Sequence, residues 1–451
     1  AAPCPRSVHC QCWAHGQRWV LRRGAASNLS CRTQAIRPKQ DALAHIFLFS
    51  ADPLFRATVG EAGDARAVAA AARARGDPRC AKIETAKGIG MVLRVGVVGG
   101  GQLARMMIPA AVNLGIEIRV LAEDEGMSAA LAATSVGDYR DLATVAAFAA
   151  DVDVITFDHE HVPQPVLRAL VDAGVSVHPG PDALQFAQDK LRMRARLEEL
   201  GMPQPDWAAV TGEAELQVFI DAHGGRAVVK TARGGYDGKG VRVVSTASEA
   251  ADWFAALADD PAGDALLVEE LVDFRRELAQ MVARRPSGEV RHWPVVETVQ
   301  KNGVCAEVIA PAPKASTKLL EVAAQIGDAI VSGLGVTGVM AVELFETADE
   351  RLLVNELAMR PHNSGHWTQD GAVTSQFEQH LRAVLDLPLG GARASQPWAV
   401  MANILGGPVE GTLDDRYAAA MTAHPDAKIH NYGKVPRPGR KVGHVNVVGD
   451  N

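Results

Sequence analysis

A strand that runs straight into three glycines leaves this chain few architectures. Arg94-Val95-Gly96-Val97-Val98 is a short apolar run of the kind buried on both faces of a parallel sheet. Gly99, Gly100 and Gly101 then turn the chain into Gln102-Leu103-Ala104 and a helical stretch through Leu114, which Gly115 can cap. Residues 116–121 read as the next strand, followed by an Ala-rich helical segment and a strand over 152–157. This is βαβ organisation, an open parallel sheet of about 90 residues.

The same opening satisfies the dinucleotide fingerprint. Gly99, Gly101 and Ala104 take the three small positions, and Glu123-Asp124 follow about 20 residues on. A dehydrogenase is therefore one reading. The glycine turn, however, lets any α/β sheet bring a phosphate or ribose to a helix N-terminus, so the rest of the chain must decide.

At 451 residues the prior is about three domains. A hydrophobic fraction of 47% with 22% charged residues excludes whole-chain disorder. A net charge of −7 argues against a nucleic-acid surface, and no apolar run approaches the roughly 18 residues that span a bilayer. The averages hide a seam. Residues 1–90 carry 14 Lys and Arg against 6 Asp and Glu, a net of +8, so the other 361 carry −15. Five of the six cysteines (Cys4, Cys10, Cys12, Cys31, Cys80) also lie in that first stretch, leaving Cys305 in an acidic body that reads as reduced and cytoplasmic. Cys10-x-Cys12 with His9 and His15 fits no closed tetrahedral zinc spacing. An Arg-rich, acid-poor start has the composition of a transit peptide, but no uninterrupted helical stripe precedes Met91. Residues 1–90 are expected to be an unstructured extension or upstream sequence ahead of a start at Met91.

A second unit opens after the helix expected over 190–200 and its stop, Gly201-Met202-Pro203. The strand Ala227-Val228-Val229-Lys230 and the strand Val241-Arg242-Val243-Val244 flank Gly234-Gly235-Tyr236-Asp237-Gly238-Lys239-Gly240. Four glycines in seven positions exceed what a hairpin turn needs. They suit a flap that lays backbone amides on phosphate oxygens, with Lys230 and Lys239 adding charge; the Gly-Lys-Ser/Thr ending of a Walker loop is absent. A strand over 265–272 then ends in Glu269 and Glu270, which either solvate an edge or meet a base or ribose.

Met340-Ala341-Val342-Glu343-Leu344-Phe345 and Leu352-Leu353-Val354-Asn355-Glu356-Leu357 read as a hairpin around a polar turn. With Phe345 opposite Val354, Glu343 falls opposite Glu356 on one face. Two like charges there would destabilise a sheet, whereas a hard divalent cation reverses the sign. Asn355 would point to the other face of an ideal strand, so its use as a ligand needs a local distortion. Arg360, His362, Asn363, Ser364 and His366 follow at once, a polar, anion-friendly loop. Lys434, Arg437, Arg440 and Lys441 crowd a short tail segment that is either a solvated basic loop or a phosphate-ester site.

A glycine flap, an acidic strand end, a Glu…Asn-Glu hairpin and a preceding βαβ domain together resemble the ATP-grasp superfamily. Within it, the GGGQLARM opening, the GGYDGKG flap, the NELAMRPHNSGHWT run and the PGRKVGH tail are similar to the 5-(carboxyamino)imidazole ribonucleotide synthetase family of purine biosynthesis. The resemblance covers 91–451. It implies an α/β ATP-grasp fold: an N-terminal βαβ parallel-sheet domain (91–188), a small α+β lid with the flap (189–265), a larger α+β metal and nucleotide domain (266–392), and a short C-terminal β segment (393–451). It also implies an ATP-dependent carbon–nitrogen ligase that uses bicarbonate to carboxylate 5-aminoimidazole ribonucleotide, releasing ADP and phosphate.

Carried over by position, Lys190 and Lys230 would meet ATP phosphates under a cover of Gly235, Tyr236, Asp237, Gly238, Lys239, Gly240 and Val241. Glu269, Glu270, Leu271 and Val272 would hold adenine, and Glu277 the ribose. Glu343 and Glu356, with Asn355, would hold Mg²⁺ (or Mn²⁺) and nucleotide. Tyr236, Asp237, Arg360 and His362 would gather bicarbonate and the amine. Asn363 and Ser364, with Gln102 and Glu160 of the N-terminal domain, would meet the ribonucleotide, and Lys434, Arg440 and Lys441 its phosphate. The resemblance further implies a homodimer and a downstream mutase served only by product transfer. Two departures stand out. Gln300 occupies a nucleotide-contacting position where many relatives carry His, and the C-terminal segment is expected to be truncated. The alternatives are a formate-dependent phosphoribosylglycinamide formyltransferase and an inactive nucleotide-binding protein.

Overall fold

The computed structural model describes residues 92–235, 240–259, 265–301, 303–408 and 410–450, and the backbone of 13–14 and 17–18. The chain divides into two units, Ala1–Ile89 and Gly90–Asn451. In the first, Trp13–Ala14 pairs antiparallel with Gln17–Arg18. The expected extension, its five cysteines and the Cys10–Cys12 zinc alternative otherwise lie outside the described residues.

The second unit opens with the parallel sheet expected from its pattern. Strands β1 (Arg94–Val98), β2 (Glu117–Ala122), β3 (Ala133–Val136) and β4 (Val154–Phe157) lie in the order β3-β2-β1-β4. Helix α1 (Gln102–Leu114) follows the glycines and ends at Gly115, whose φ of 66° is the left-handed value a residue without Cβ adopts cheaply. Val95, Val97, Val98 and Ile155 are fully buried, which explains why β1 reads as apolar throughout.

The lid is a four-stranded antiparallel sheet ordered β5 (Trp207–Val210), β8 (Leu266–Glu270), β6 (Ala227–Thr231), β7 (Val241–Val244). Lys230 pairs with Val241, so the glycine segment is the connection of the β6–β7 hairpin. Gly234, Gly235 and Gly240 all have positive φ (66°, 74° and 75°), and a Cβ on Gly240 would sit 2.6 Å from Thr231 Oγ1.

The third sheet has nine strands. Its path runs β14 (Leu352–Ala358), β13 (Gly338–Thr347), β9 (Phe274–Arg284), β11 (Val296–Lys301), β12 (Val304–Ala310), β15 (Trp398–Leu405), β17 (Lys441–Gly449) and β16 (Lys428–Asn431), with β10 (Val290–His292) on β9. The C-terminal strands thus extend this sheet instead of forming a layer of their own. They also reach the N-terminal domain: Tyr432 is fully buried among Leu103, Met106 and Met107, and Arg105 Nε donates to Asn431 O at 3.0 Å.

The expected hairpin register needs one correction. Glu343 does pair with Glu356, but Leu344 pairs with Val354 and Phe345 with Leu353, not Val354. A bulge between Glu343 and Leu344 places Asn355 as the extra residue on β14. An ideal alternation could not have placed Glu343 opposite Glu356 and Asn355 near the same face; the bulge does both.

Candidate active site

A cleft of about 1950 Å³ lies where the three sheets meet. Of the residues expected at a site, Gln102, Glu160, Lys190, Lys230, Gly235, Val241, Glu269, Glu270, Leu271, Val272, Glu277, Gln300, Glu343, Asn355, Glu356, Arg360, His362, Asn363, Lys434, Arg440 and Lys441 line it. Gly240 and Ser364 do not. Tyr236, Asp237, Gly238 and Lys239 lie outside the described residues.

The paired carboxylates sit at the centre. Burial pushes Glu343 up, but the hydrogen bond from His362 (Nε2 to Oε1, 3.2 Å) and the charges of Arg360 and Lys441 outweigh it and hold Glu343 below the usual carboxylate range. Glu356 moves the other way. Burial raises it, Glu343 adds to the rise, and Lys190, 3.8 Å away, opposes it. The Glu356 side chain is still 46% exposed to the cleft, so water screens that shift. Two carboxylates with opposed tendencies, joined by the amide oxygen of Asn355, form a hard-oxygen donor set short of a full cage. No group of three or more His, Cys, Asp or Glu is arranged to hold a metal among the described residues. A donor set of two carboxylates and one amide oxygen would suit Mg²⁺, which takes one or two carboxylates and leaves positions for phosphates.

At the lid end, Lys230 Nζ donates to Glu269 Oε2 at 2.7 Å and to Asn355 Oδ1 at 3.3 Å, and Lys190 Nζ donates to the Gly234 carbonyl at the flap root at 2.9 Å. Glu269 is 2% exposed, and its other oxygen accepts from Arg194 at 2.7 Å. Burial raises its pKa, but the two cations win and keep it ionised. Both oxygens are therefore spent on Lys230 and Arg194. This departs from the reading of Glu269 as a side chain for adenine: it holds the lysine, and its backbone is paired on both sides, with Trp207 and Val228, in the central strand of the lid. Phe274, stacked on Phe345 at 4.6 Å, lines the same end. Pattern reading passed it over because a lone aromatic just past an acidic strand end carries no spacing signal. Glu277 rises through burial, although Gln300 hydrogen-bonds it.

At the other end, Glu160 accepts from Arg360 Nε at 2.8 Å and from the Met359 amide at 3.0 Å. A carboxylate used in this way, one bond to each oxygen, orients Arg360 while still lining the cleft. Ser364 is 1% exposed; its hydroxyl meets His362 Nδ1 at 2.9 Å and Met281 Sδ at 3.3 Å. Its reading as a substrate contact is corrected, because it fixes the His362 ring and cannot reach the cleft. Asn363 accepts from Asn403 Nδ2 at 3.1 Å. Lys434 Nζ donates to Gln102 Oε1 at 2.5 Å, tying the basic tail to the first turn of α1. Arg437 and Asp158 also line the cleft, as does Cys305, whose thiol burial pushes up to about 12 and so renders inert.

The dinucleotide alternative fails on local chemistry. The Gly100 amide donates to Glu123 Oε2 at 3.1 Å and the Ala104 amide to Asp158 Oδ1 at 2.8 Å. A Cβ on Gly101 would lie 1.9 Å from Asp158 Oδ2. The amides that would cradle a pyrophosphate already serve two carboxylates, which would repel one.

The chain matches three family descriptions along its length: the ribonucleotide synthetase preATP-grasp domain over 92–188, the ATP-grasp domain over 195–377 and the phosphoribosylaminoimidazole carboxylase C-terminal domain over 399–451. It is 52% identical over 359 residues to the N5-carboxyaminoimidazole ribonucleotide synthase of Mycobacterium tuberculosis, covering 79% of this chain and 83% of that one. The Mycobacterium leprae enzyme of the same name is 50% identical over 375 residues, covering 80% and 85%. Among solved structures, an ADP complex of an N5-carboxyaminoimidazole ribonucleotide synthetase aligns with a TM-score of 0.73 at 33% identity, covering 81% of this chain and 95% of that one. An Aspergillus clavatus enzyme with ADP and 5-aminoimidazole ribonucleotide aligns with a TM-score of 0.72 at 31% identity, covering 80% and 94%.

Proposed function

Because the chain belongs to the N5-carboxyaminoimidazole ribonucleotide synthase family, we propose that its cleft assembles Mg²⁺-ATP, bicarbonate and 5-aminoimidazole ribonucleotide for one carboxyl transfer. The activity is that of an ATP-dependent carbon–nitrogen ligase of purine biosynthesis, with 5-aminoimidazole ribonucleotide as the carboxyl acceptor.

In this reading bicarbonate oxygen attacks the γ-phosphorus, ADP leaves, and the substrate amine then attacks the carboxyl carbon of the carboxyphosphate, or the CO₂ it releases. Phosphate departs and the amine loses a proton. The protein contributes position and charge. Lys190 and Lys230 would neutralise phosphate oxygens, Lys230 being aimed by Glu269 and Asn355. Held between Glu343 and Glu356, Mg²⁺ would supply further neutralisation of phosphate charge. Arg360, aimed by Glu160, and His362, fixed by Ser364, would orient bicarbonate and the amine. Lys434, Arg440 and Lys441 would take the ribonucleotide phosphate, with Gln102 holding Lys434. Tyr236 and Asp237 would join from the flap.

The observation that carries this reading is the pair Glu343–Glu356 flanked by cations on both sides, Lys190 and Lys230 towards the lid and Arg360 and Lys441 towards the tail. Phosphate release that depends on both the ribonucleotide and bicarbonate, with ¹³C-bicarbonate entering the product, tests it. Formate-dependent formylation would favour the formyltransferase alternative. The family resemblance also supports a homodimer in the cytoplasm that passes its product to a mutase by diffusion. No helix among the described residues is long and apolar enough to cross a membrane.

A further inference from the structure

We propose that Arg194 is a positioning residue for the metal and nucleotide end of the cleft, setting Asn355, Glu356 and Lys230 in place without touching a substrate. Arg194 lies on the helix Lys190–Glu199, one turn after Lys190, and is fully buried. Burying a guanidinium is costly unless each donor finds a partner. Here Nε donates to Glu269 Oε1, Nη1 to the Val354 carbonyl and Nη2 to the Asn355 carbonyl, each at 2.7 Å, and Nη1 also approaches Gln204 Oε1 at 3.4 Å.

These partners are the two supports of the site. Strand β14 is the edge of the nine-stranded sheet and carries the bulge, so the carbonyls of Val354 and Asn355 have no strand beyond them. Arg194 takes both, and the Val354 amide donates to the Pro203 carbonyl at 2.8 Å. The bulge that keeps Glu356 opposite Glu343 and turns Asn355 towards Lys230 is thus clamped from outside the sheet. The same guanidinium holds one oxygen of Glu269, whose other oxygen holds Lys230. One planar fork therefore joins the lid strand to the metal hairpin. A lysine carries the charge but not two parallel donors at fixed spacing.

The inference rests on the metal reading of Glu343 and Glu356, and the experiment separates the two. R194K and E356Q are compared with wild type by electron paramagnetic resonance of Mn²⁺ binding in the presence of ADP, by thermal melting, and by kinetics with each substrate varied. R194K is expected to fold, to bind Mn²⁺ about 10- to 100-fold more weakly and to lose kcat by a similar factor, while KM for the ribonucleotide stays level. A merely structural arginine predicts a lower melting point with Mn²⁺ affinity and kcat per folded molecule unchanged. That outcome, beside an E356Q that loses Mn²⁺, overturns the inference alone. An E356Q that binds Mn²⁺ as wild type does overturns the metal reading, and the inference with it. Should R194K not fold, the same measurements on R194Q, which keeps a planar amide donor without the charge, decide by the same criteria.

Discussion

Replacing Glu356 by Gln separates a metal site from two coincidental acids, because it moves apo and ligand-bound stability in different directions. In the apo protein Glu356 is raised by burial and by Glu343, so its ionised form is held at a cost at neutral pH; Lys190 at 3.8 Å offsets part of that cost. Glutamine keeps the shape and removes the charge. Apo stability should stay level or rise. With the nucleotide complex at about 100 times its Kd, wild type gains about 2.7 kcal/mol. For a unit of this size about 1–2 °C follows each kcal/mol, so the melting point should climb by about 4 °C. A 10- to 100-fold weaker site leaves about 1.4 to 0.4 kcal/mol at the same concentration, a shift of about 2 °C or below. Differential scanning fluorimetry with and without Mg²⁺-ADP, at matched free ligand, reads both quantities. Turnover should be lost while the protein stays folded. An E356Q protein that melts lower when apo, yet keeps the full ligand shift and normal phosphate release, would refute the reasoning.

Other outcomes follow from the same geometry. Burial holds His380 down to about 3, where its neutral ring accepts from the Val339 amide and meets Thr156 Oγ1 at 2.7 Å. A depressed folded pKa means the unfolded chain binds the extra proton, so this stability is present above about 6.5 and drains as pH falls towards about 3, by about 1.4 kcal/mol per pH unit. His380→Gln should flatten that slope in urea titrations at pH 7 and pH 5; an unchanged slope would clear His380 of the effect. Lys441→Ala should raise KM for the ribonucleotide about 10- to 150-fold, from a charge-assisted contact of about 1.5–3 kcal/mol, with KM for ATP level; equal effects on both constants would remove the tail from the phosphate site. A chain starting at Met91 should match the full chain in melting point and specific activity, since the unit Gly90–Asn451 carries the cleft; loss of either would mean the first 90 residues contribute.

What the chain declares locally, it declares well. The apolar run 94–98, the glycines after it and the helix to Gly115 are written in propensity and period, so βαβ order is readable without any long-range contact. The flap is readable because positive φ at Gly234, Gly235 and Gly240 is a demand that few other residues meet. Glu343 and Glu356 could be paired because a hairpin leaves few registers.

What the sequence could not show are the effects that distant residues impose on those elements. The bulge at Asn355 depends on Arg194 and Pro203, some 150 residues upstream, and it shifted every pair beyond Glu343 by one. Glu160 and Glu269 looked like free ligands because a carboxylate in a string of letters carries no sign of its partner. Folding pairs the first with Arg360, 200 residues away, and the second with Arg194 and Lys230. Ser364 sits in a polar run yet is sealed under His362 and Met281. Residue type, spacing and periodicity are local quantities and set which chemistry is present and on which element. Which polar groups remain unsatisfied, and therefore free for a substrate, is decided by burial and by contacts across sheets, and those exist only once the chain has folded.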